Sequence, residues 1–199
     1  MTVAVIATGA GNTASVLFAL ERLGAEARVT ADPVEAAEAE RIILPGVGAA
    51  AYAMKRLDDL GLAPVIRTFT RPLLGICLGQ QLLFETSEEG DGADLLGFIP
   101  GGVTRLDPGL ALPVPHMGWS RLSLDRDDPL LEGVKDGEHV YFVHGFVCPD
   151  GPATLARADY GGPVPAVVCA DNRWGCQFHP ERSAATGARI LRNFLELPA

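Results

Sequence analysis

Three short apolar runs, TVAVIA at 2–7, RIILPG at 41–46 and PLLGI at 72–76, are each followed by a stretch of helical spacing. A strand with water on one face alternates apolar and polar residues. These runs do not alternate, so both of their faces must be buried, which implies a parallel sheet covered by helices on each side. The expected fold class is therefore α/β, with a central, mostly parallel sheet. The chain has 199 residues, enough to bury roughly 70% of its extended surface without disulfides or metal. It reads as a single domain over 1–199, with no clean linker.

The helical segments follow from spacing. In SVLFALERLG, Val16, Ala19, Leu20 and Leu23 fall on one stripe, and Gly24 can cap the end. AEARVT reads as a short strand, Asp32-Pro33 as a turn, and EAAEAE as a short polar helix or turn. AAAYAMKRLDDLG is a helix, and APVIRTFTR is helical or irregular. LGQQLLFETSE is expected to be one helix, with Leu78, Leu82 and Leu83 toward the core. Near residue 97 the texture changes to short strands and loops, an antiparallel, strand-rich extension. Ile190, Leu191, Phe194 and Leu195 close the chain on a helical stripe.

Charge and cysteine use exclude several functions. With 16 Lys and Arg against 25 Asp and Glu, the net charge is −9. That opposes unspecific nucleic-acid binding, which needs a positive footprint. No run of 18 apolar residues could span a membrane, and the N-terminal TVAVIATGAG lacks the basic start of a secretory signal. Cysteines stand at 77, 148, 169 and 176 with no CxxC pair, which fits a cytoplasmic thiol protein better than a zinc or disulfide framework. GAGN at 9–12 lacks the third glycine of a dinucleotide loop. No cofactor and no metal is expected.

Chemistry concentrates in two places. GICLGQQ sets Gly75 and Gly79 two residues either side of Cys77, after a strand and before a helix. That is a nucleophile elbow with cysteine in place of serine: a tight turn where flanking side chains would clash. Free N–H groups at the helix start favour a thiolate, and the N–H of Leu78 can face a developing oxyanion. The bland alternative is a buried structural cysteine between boundary glycines. GCQFHPE supplies His179 and Glu181, an imidazole to move the proton and a carboxylate to orient it. A metal-binding His–Glu pair or a surface loop remains open on spacing alone. LPGVG at 44–48 ends a strand and can present a backbone N–H opposite the elbow, although such turns are common. His116, His139 and His144 read as structural or peripheral.

Together these segments resemble the class I, triad-type glutamine amidotransferases, which have a flavodoxin-like fold. More narrowly they resemble the HisH family, the glutaminase subunits of imidazole glycerol phosphate synthase in histidine biosynthesis. The resemblance spans nearly the whole chain through LPGVGA (44–49), PLLGICLGQQLLFETSEEG (72–90), GFIPGGVTRL (97–106), PVPHMGWSRL (113–122), YFVHGF (141–146) and GCQFHPERS (175–183). It implies Cys77 as nucleophile, His179 as base and Glu181 as its orienting partner. It implies an oxyanion hole from Gly46, Val47, Gly48 and Leu78, and a glutamine site from Gly48, Gln81 and Glu89. It further implies a (β/α)8-barrel cyclase partner in a 1:1 heterodimer that receives the ammonia, with Asn12, Trp119, Tyr141 and Arg182 at the interface.

The sequence departs from the family pattern at a few positions. The first loop is Ala7-Thr8-Gly9-Ala10-Gly11-Asn12, without the usual acidic and aromatic residues. Ser120 follows PHMGW where asparagine is common, Gly145-Phe146 follows FVH, and Arg182 follows HPE where lysine is common. These positions touch partner signalling rather than the triad. Two rival functions share the elbow. Another glutaminase of the superfamily would lack PHMGW and PGVG, and a cysteine hydrolase of the same fold would need neither Gln81 nor Glu89. A non-enzymatic module would be expected to have lost a triad residue.

Overall fold

The computed structural model describes residues 2–9, 13–109 and 112–198. The first half alternates strand and helix: β1 (Thr2–Ile6), α1 (Thr13–Arg22), β2 (Glu26–Thr30), α2 (Pro33–Glu38), β3 (Arg41–Gly46), α3 (Ala50–Asp59), α4 (Leu62–Thr68), β4 (Leu73–Cys77) and α5 (Leu78–Gln81). The second half holds β5 (Phe84–Ser87), β6 (Ala93–Asp94), β7 (Ile99–Arg105), β8 (His116–Arg121), β9 (Ser123–Leu124), β10 (His139–His144), β11 (Phe146–Val147), β12 (Thr154–Asp159), β13 (Pro163–Ala170), β14 (Arg173–Cys176) and α6 (Ala184–Glu196).

The main sheet has the order β2-β1-β3-β4-β14-β13-β12-β9. From β2 to β14 the strands run parallel, and from β14 outward they pair antiparallel. Successive residues of the apolar runs go to opposite faces. Val3, Val5, Ile43, Leu74 and Ile76 join the core with α1 and α6, while Ala4, Ile6, Ile42, Leu44 and Leu73 join the core with α2, α3 and α4. The absence of alternation in these runs thus has the expected cause. The helical stripes of α1 and α6 also bury as their spacing requires.

Two local readings are corrected. Asp32-Pro33 is not a free turn but the start of α2: the Asp32 carboxylate accepts from the Val34 N–H at 2.8 Å, and Pro33 takes the first helical position. LGQQLLFETSE is not one helix, because α5 stops at Gln81 and Phe84–Ser87 is a strand. The carbonyls that would continue the helix are taken from elsewhere. Leu82 O accepts from Leu96 N–H, and Leu83 O accepts from the N–H groups of Phe98 and Ile99. β5 then pairs parallel with β7. β5, β6, β7 and β11 form a separate four-stranded sheet, and β8 pairs with β10 as an antiparallel ribbon.

The elbow is wedged into the main sheet at its centre. A Cβ on Gly79 would sit 1.7 Å from the Leu44 carbonyl oxygen of β3, and one on Gly75 would sit 2.4 Å from the Gly79 oxygen. Both contacts are with backbone that cannot swing aside. Glycine at these positions is therefore demanded by close approach, and it seats the first turn of α5 directly against the end of β3.

Candidate active site

Cys77 is the last residue of β4 and has φ +55° and ψ −108°. A non-glycine residue in this conformation is strained, and such strain is held only where its surroundings over-determine it. Here β3 and β14 hold β4 on both sides, with Gly46 opposite Cys77 in the ladder. The sulfur lies 3.7 Å from the Val143 carbonyl oxygen of β10.

His179 follows β14, and its N–H donates to the Tyr141 carbonyl of β10 at 2.9 Å. β10 therefore touches the thiol through Val143 and positions the imidazole through Tyr141, two residues apart on one strand. His179 Nδ1 lies 2.8 Å from Glu181 Oε1, and both side chains are buried. Its Nε2 is buried with no hydrogen-bonding partner among the described residues. Burial alone disfavours the imidazolium, but the neighbouring Cys77 sulfur and the Glu181 carboxylate favour it, and the balance raises His179 to about 10. A charged imidazole facing a cysteine sulfur is the arrangement that holds a thiolate and a transferable proton in one site. The other cysteines are free but unsuited to this: burial pushes Cys148 to about 12 and, with Asp128 and Asp171, Cys169 to about 12, and it raises Cys176 as well.

A cavity of about 280 Å³ opens over the sulfur, and Val47, Gly48, Leu78, Gln81 and Glu89 line it. The structure thus gathers the anticipated oxyanion and substrate residues around Cys77. Gly46 lies just below, where an added Cβ would meet Leu78 at 2.9 Å. Glu89 Oε2 accepts from the Ala50 N–H at 2.8 Å, so its carboxylate faces the N-terminal end of α3, two residues beyond the 46–48 loop. Of the anticipated interface residues, Asn12 lies outside the described residues. The other three meet: the Trp119 and Tyr141 rings are 5.9 Å apart edge-on, and the Arg182 guanidinium lies 5.6 Å from the Tyr141 ring centre. Trp119 is 52% exposed and Met117, on the same face of β8, is 62% exposed.

Three side chains gain a place here that sequence reasoning withheld. His144 lines the cavity, and His116 stands behind it. The Phe146 carbonyl can only accept, so His144 Nδ1, 2.8 Å away, carries a hydrogen. His144 Nε2 then accepts from His116 Nδ1 at 3.1 Å, and His116 Nε2 accepts from the Ser120 hydroxyl at 2.9 Å. Ser120 thereby supplies the donor that ends this run of hydrogen bonds. Burial lowers both histidines to about 4, each histidine's neighbour (His144 for His116, His179 for His144) adding to the effect, although the Phe146 bond works the other way at His144. Both are neutral at pH 7. The third residue is Gln177, fully buried, with Nε2 at 3.8 Å from Cys77 Sγ. The missing signal in all three cases was contact between segments far apart in the chain.

Residues 4–197 match the family model described as glutamine amidotransferase class-I. The chain belongs to that family. It is 55% identical over 194 residues to the imidazole glycerol phosphate synthase subunit HisH of Xanthomonas campestris pv. campestris strain 8004, covering 98% of this chain and 96% of that protein. Against the HisH subunit of Xylella fastidiosa strain Temecula1 it is 52% identical over 197 residues, covering 99% and 98%. Within the amidotransferases it therefore falls in the HisH family, and it is an enzyme of the glutaminase type. The solved structure titled glutamine amidotransferase superposes with a TM-score of 0.76 at 25% identity, covering 98% and 97%. Thermotoga maritima PurLQS superposes with 0.73 at 22%, which shows the shared flavodoxin-like fold. Among the described residues no helix of this amidotransferase is long and apolar enough to cross a membrane.

Proposed function

We propose that this chain is the cytoplasmic glutaminase subunit of an imidazole glycerol phosphate synthase, acting as one domain over 1–199. It hydrolyses glutamine to glutamate and ammonia through a thioester on Cys77. It passes the ammonia to a (β/α)8-barrel cyclase bound 1:1 on the face of Trp119, Tyr141 and Arg182, with Asn12 as a further interface residue. The observation that carries this reading is one cavity lined by the strained Cys77, Gln81 and Glu89, with His179 as a neighbour of the sulfur and the Glu181 carboxylate 2.8 Å from its Nδ1.

The Cys77 thiolate attacks the side-chain carboxamide carbon, and the resulting oxyanion is met by N–H groups of Leu78 and the Gly46-Val47-Gly48 loop. An amide leaves poorly as NH2⁻, so His179 gives its proton to the nitrogen as the C–N bond breaks, releasing ammonia and leaving the γ-glutamyl thioester. His179, now neutral, takes a proton from water as that water attacks the thioester. The C–S bond breaks, glutamate leaves and the thiolate is restored. Glu181 holds the imidazole through Nδ1 in both steps. Gly48, Gln81 and Glu89 hold the substrate, Glu89 as the carboxylate that can meet its ammonium group.

Glutamate release by wild type and Cys77→Ser, alone and with the purified cyclase, tests the reading. Cys77→Ser is expected to remove release while the fold persists. An electrophilic glutamine analogue is expected to label Cys77 alone. An adduct on Cys148, Cys169 or Cys176 would overturn the nucleophile assignment.

A further inference from the structure

Gln177 lies between β14 and His179, and its N–H donates to the Ala166 carbonyl of β13 at 2.9 Å. The two ends of an amide side chain have the same shape, so neighbours decide which one faces the sulfur. The deciding group is the Phe146 carbonyl, already held by His144 Nδ1. It only accepts, so the Gln81 atom 3.1 Å from it is the nitrogen. The second hydrogen of that nitrogen points to Gln177 at 3.0 Å, which must present its oxygen. The remaining end of Gln177, its NH2 group, is then left toward Cys77 Sγ at 3.8 Å. The Val143 carbonyl, 3.7 Å from the sulfur, is an acceptor and disfavours an anion there.

We propose that Gln177 is a further residue of the reaction: its amide N–H stabilises the Cys77 sulfur anion, and Gln81 locks that N–H in place through the Phe146 carbonyl. The inference rests on the reading of Cys77 as the nucleophile. It gives Gln81 a second role, beyond holding substrate, in the free enzyme. The N–H favours the thiolate before attack and favours it again as the leaving group when the thioester is hydrolysed. The titratable groups around the sulfur are His179 with Glu181 behind it, His144 and Glu89 across the cavity, and the buried Cys148. The Gln177 side chain bonds Gln81 and the Cys77 sulfur rather than any of these groups.

The test follows the ultraviolet absorbance of the thiolate as pH is lowered, without glutamine, each protein measured against its own Cys77→Ser counterpart. Gln177→Met keeps an unbranched side chain and removes the N–H. Its thiolate is expected to be lost at about tenfold lower proton concentration than in wild type, the scale of one charge-assisted hydrogen bond. Gln81→Met does not touch the sulfur and is expected to move the same midpoint in the same direction by about threefold, because Gln177 is then free to turn. A Gln81 that only binds substrate would leave it unmoved. A folded Gln177→Met with the wild-type midpoint overturns the proposal. Should that variant not fold, a wild-type midpoint in Gln81→Met overturns it. Failure of the nucleophile reading is separate, since it would appear as glutamine turnover persisting in Cys77→Ser alone.

Discussion

The buried histidine pair makes acid stability the most quantitative consequence of this structure. His116 and His144 stand at about 4 in the folded protein against 6.5 in the unfolded chain. The unfolded state therefore binds more protons between those values, and stability is lost as pH falls from 6.5 toward 4. Integrated from about pH 7.5 to about pH 5, each histidine contributes a loss of about 2 kcal/mol. His179 carries the opposite sign: raised to about 10, it contributes stability that is complete below 6.5 and is lost toward 10. His116→Phe isolates the pair. The ring of His116 is stacked against Phe142 at 4.6 Å and Tyr160 at 3.9 Å, each at 18°, so phenylalanine fits the stack while removing one titrating group. His179 is common to both proteins and cancels in the comparison. Urea unfolding at the two pH values is expected to show wild type losing about 2 kcal/mol more than His116→Phe on acidification. At neutral pH the variant is expected to be weaker, because His144 Nε2 loses its donor, by about 1–3 kcal/mol. An equal acid loss in the two proteins would refute the neutral, hydrogen-bonded pair.

Three further outcomes are expected. His179→Asn should abolish glutamate release, and Glu181→Gln should lower kcat less, because a positioned imidazole can still move a proton without its carboxylate; wild-type turnover in both would remove the triad. Gly79→Ala should cost about 3 kcal/mol or more in thermal or urea unfolding, since its Cβ would meet the Leu44 carbonyl at 1.7 Å, while Gly151→Ala, with open space around it, should stay within about 0.5 kcal/mol. Val47→Gly should raise the rate of the isolated subunit and lower its stimulation by the cyclase if the stiff β-branched residue holds an oxyanion N–H away from the site. One such donor is worth about a hundredfold to a thousandfold in rate, and an unchanged stimulation ratio would place any gating elsewhere.

The parallel half of the sheet and the core of the site were legible in the chain because their causes are local. A run such as RIILPG has no polar face to offer water, and GICLGQQ removes side chains where strand meets helix. The HPE segment ties an imidazole to its carboxylate two residues on, and the structure holds them 2.8 Å apart. The end of α5 was not legible. Helical spacing continues through Leu82 and Leu83, but the peptide groups of 96–99 claim their carbonyls, and a local propensity cannot compete with a hydrogen-bonded sheet assembled from both sides. The polar network was hidden for a related reason. Gln81 meets Gln177 across 96 residues and His116 meets His144 across 28. Which way each amide and imidazole points is set by a single acceptor, the Phe146 carbonyl, reached only after the chain has folded. Sequence therefore determined which groups stand at the elbow and at the HPE turn, through steric demands that act within a few residues. Tertiary structure decided their polarity, because a buried donor takes its direction from whichever acceptor packing brings beside it.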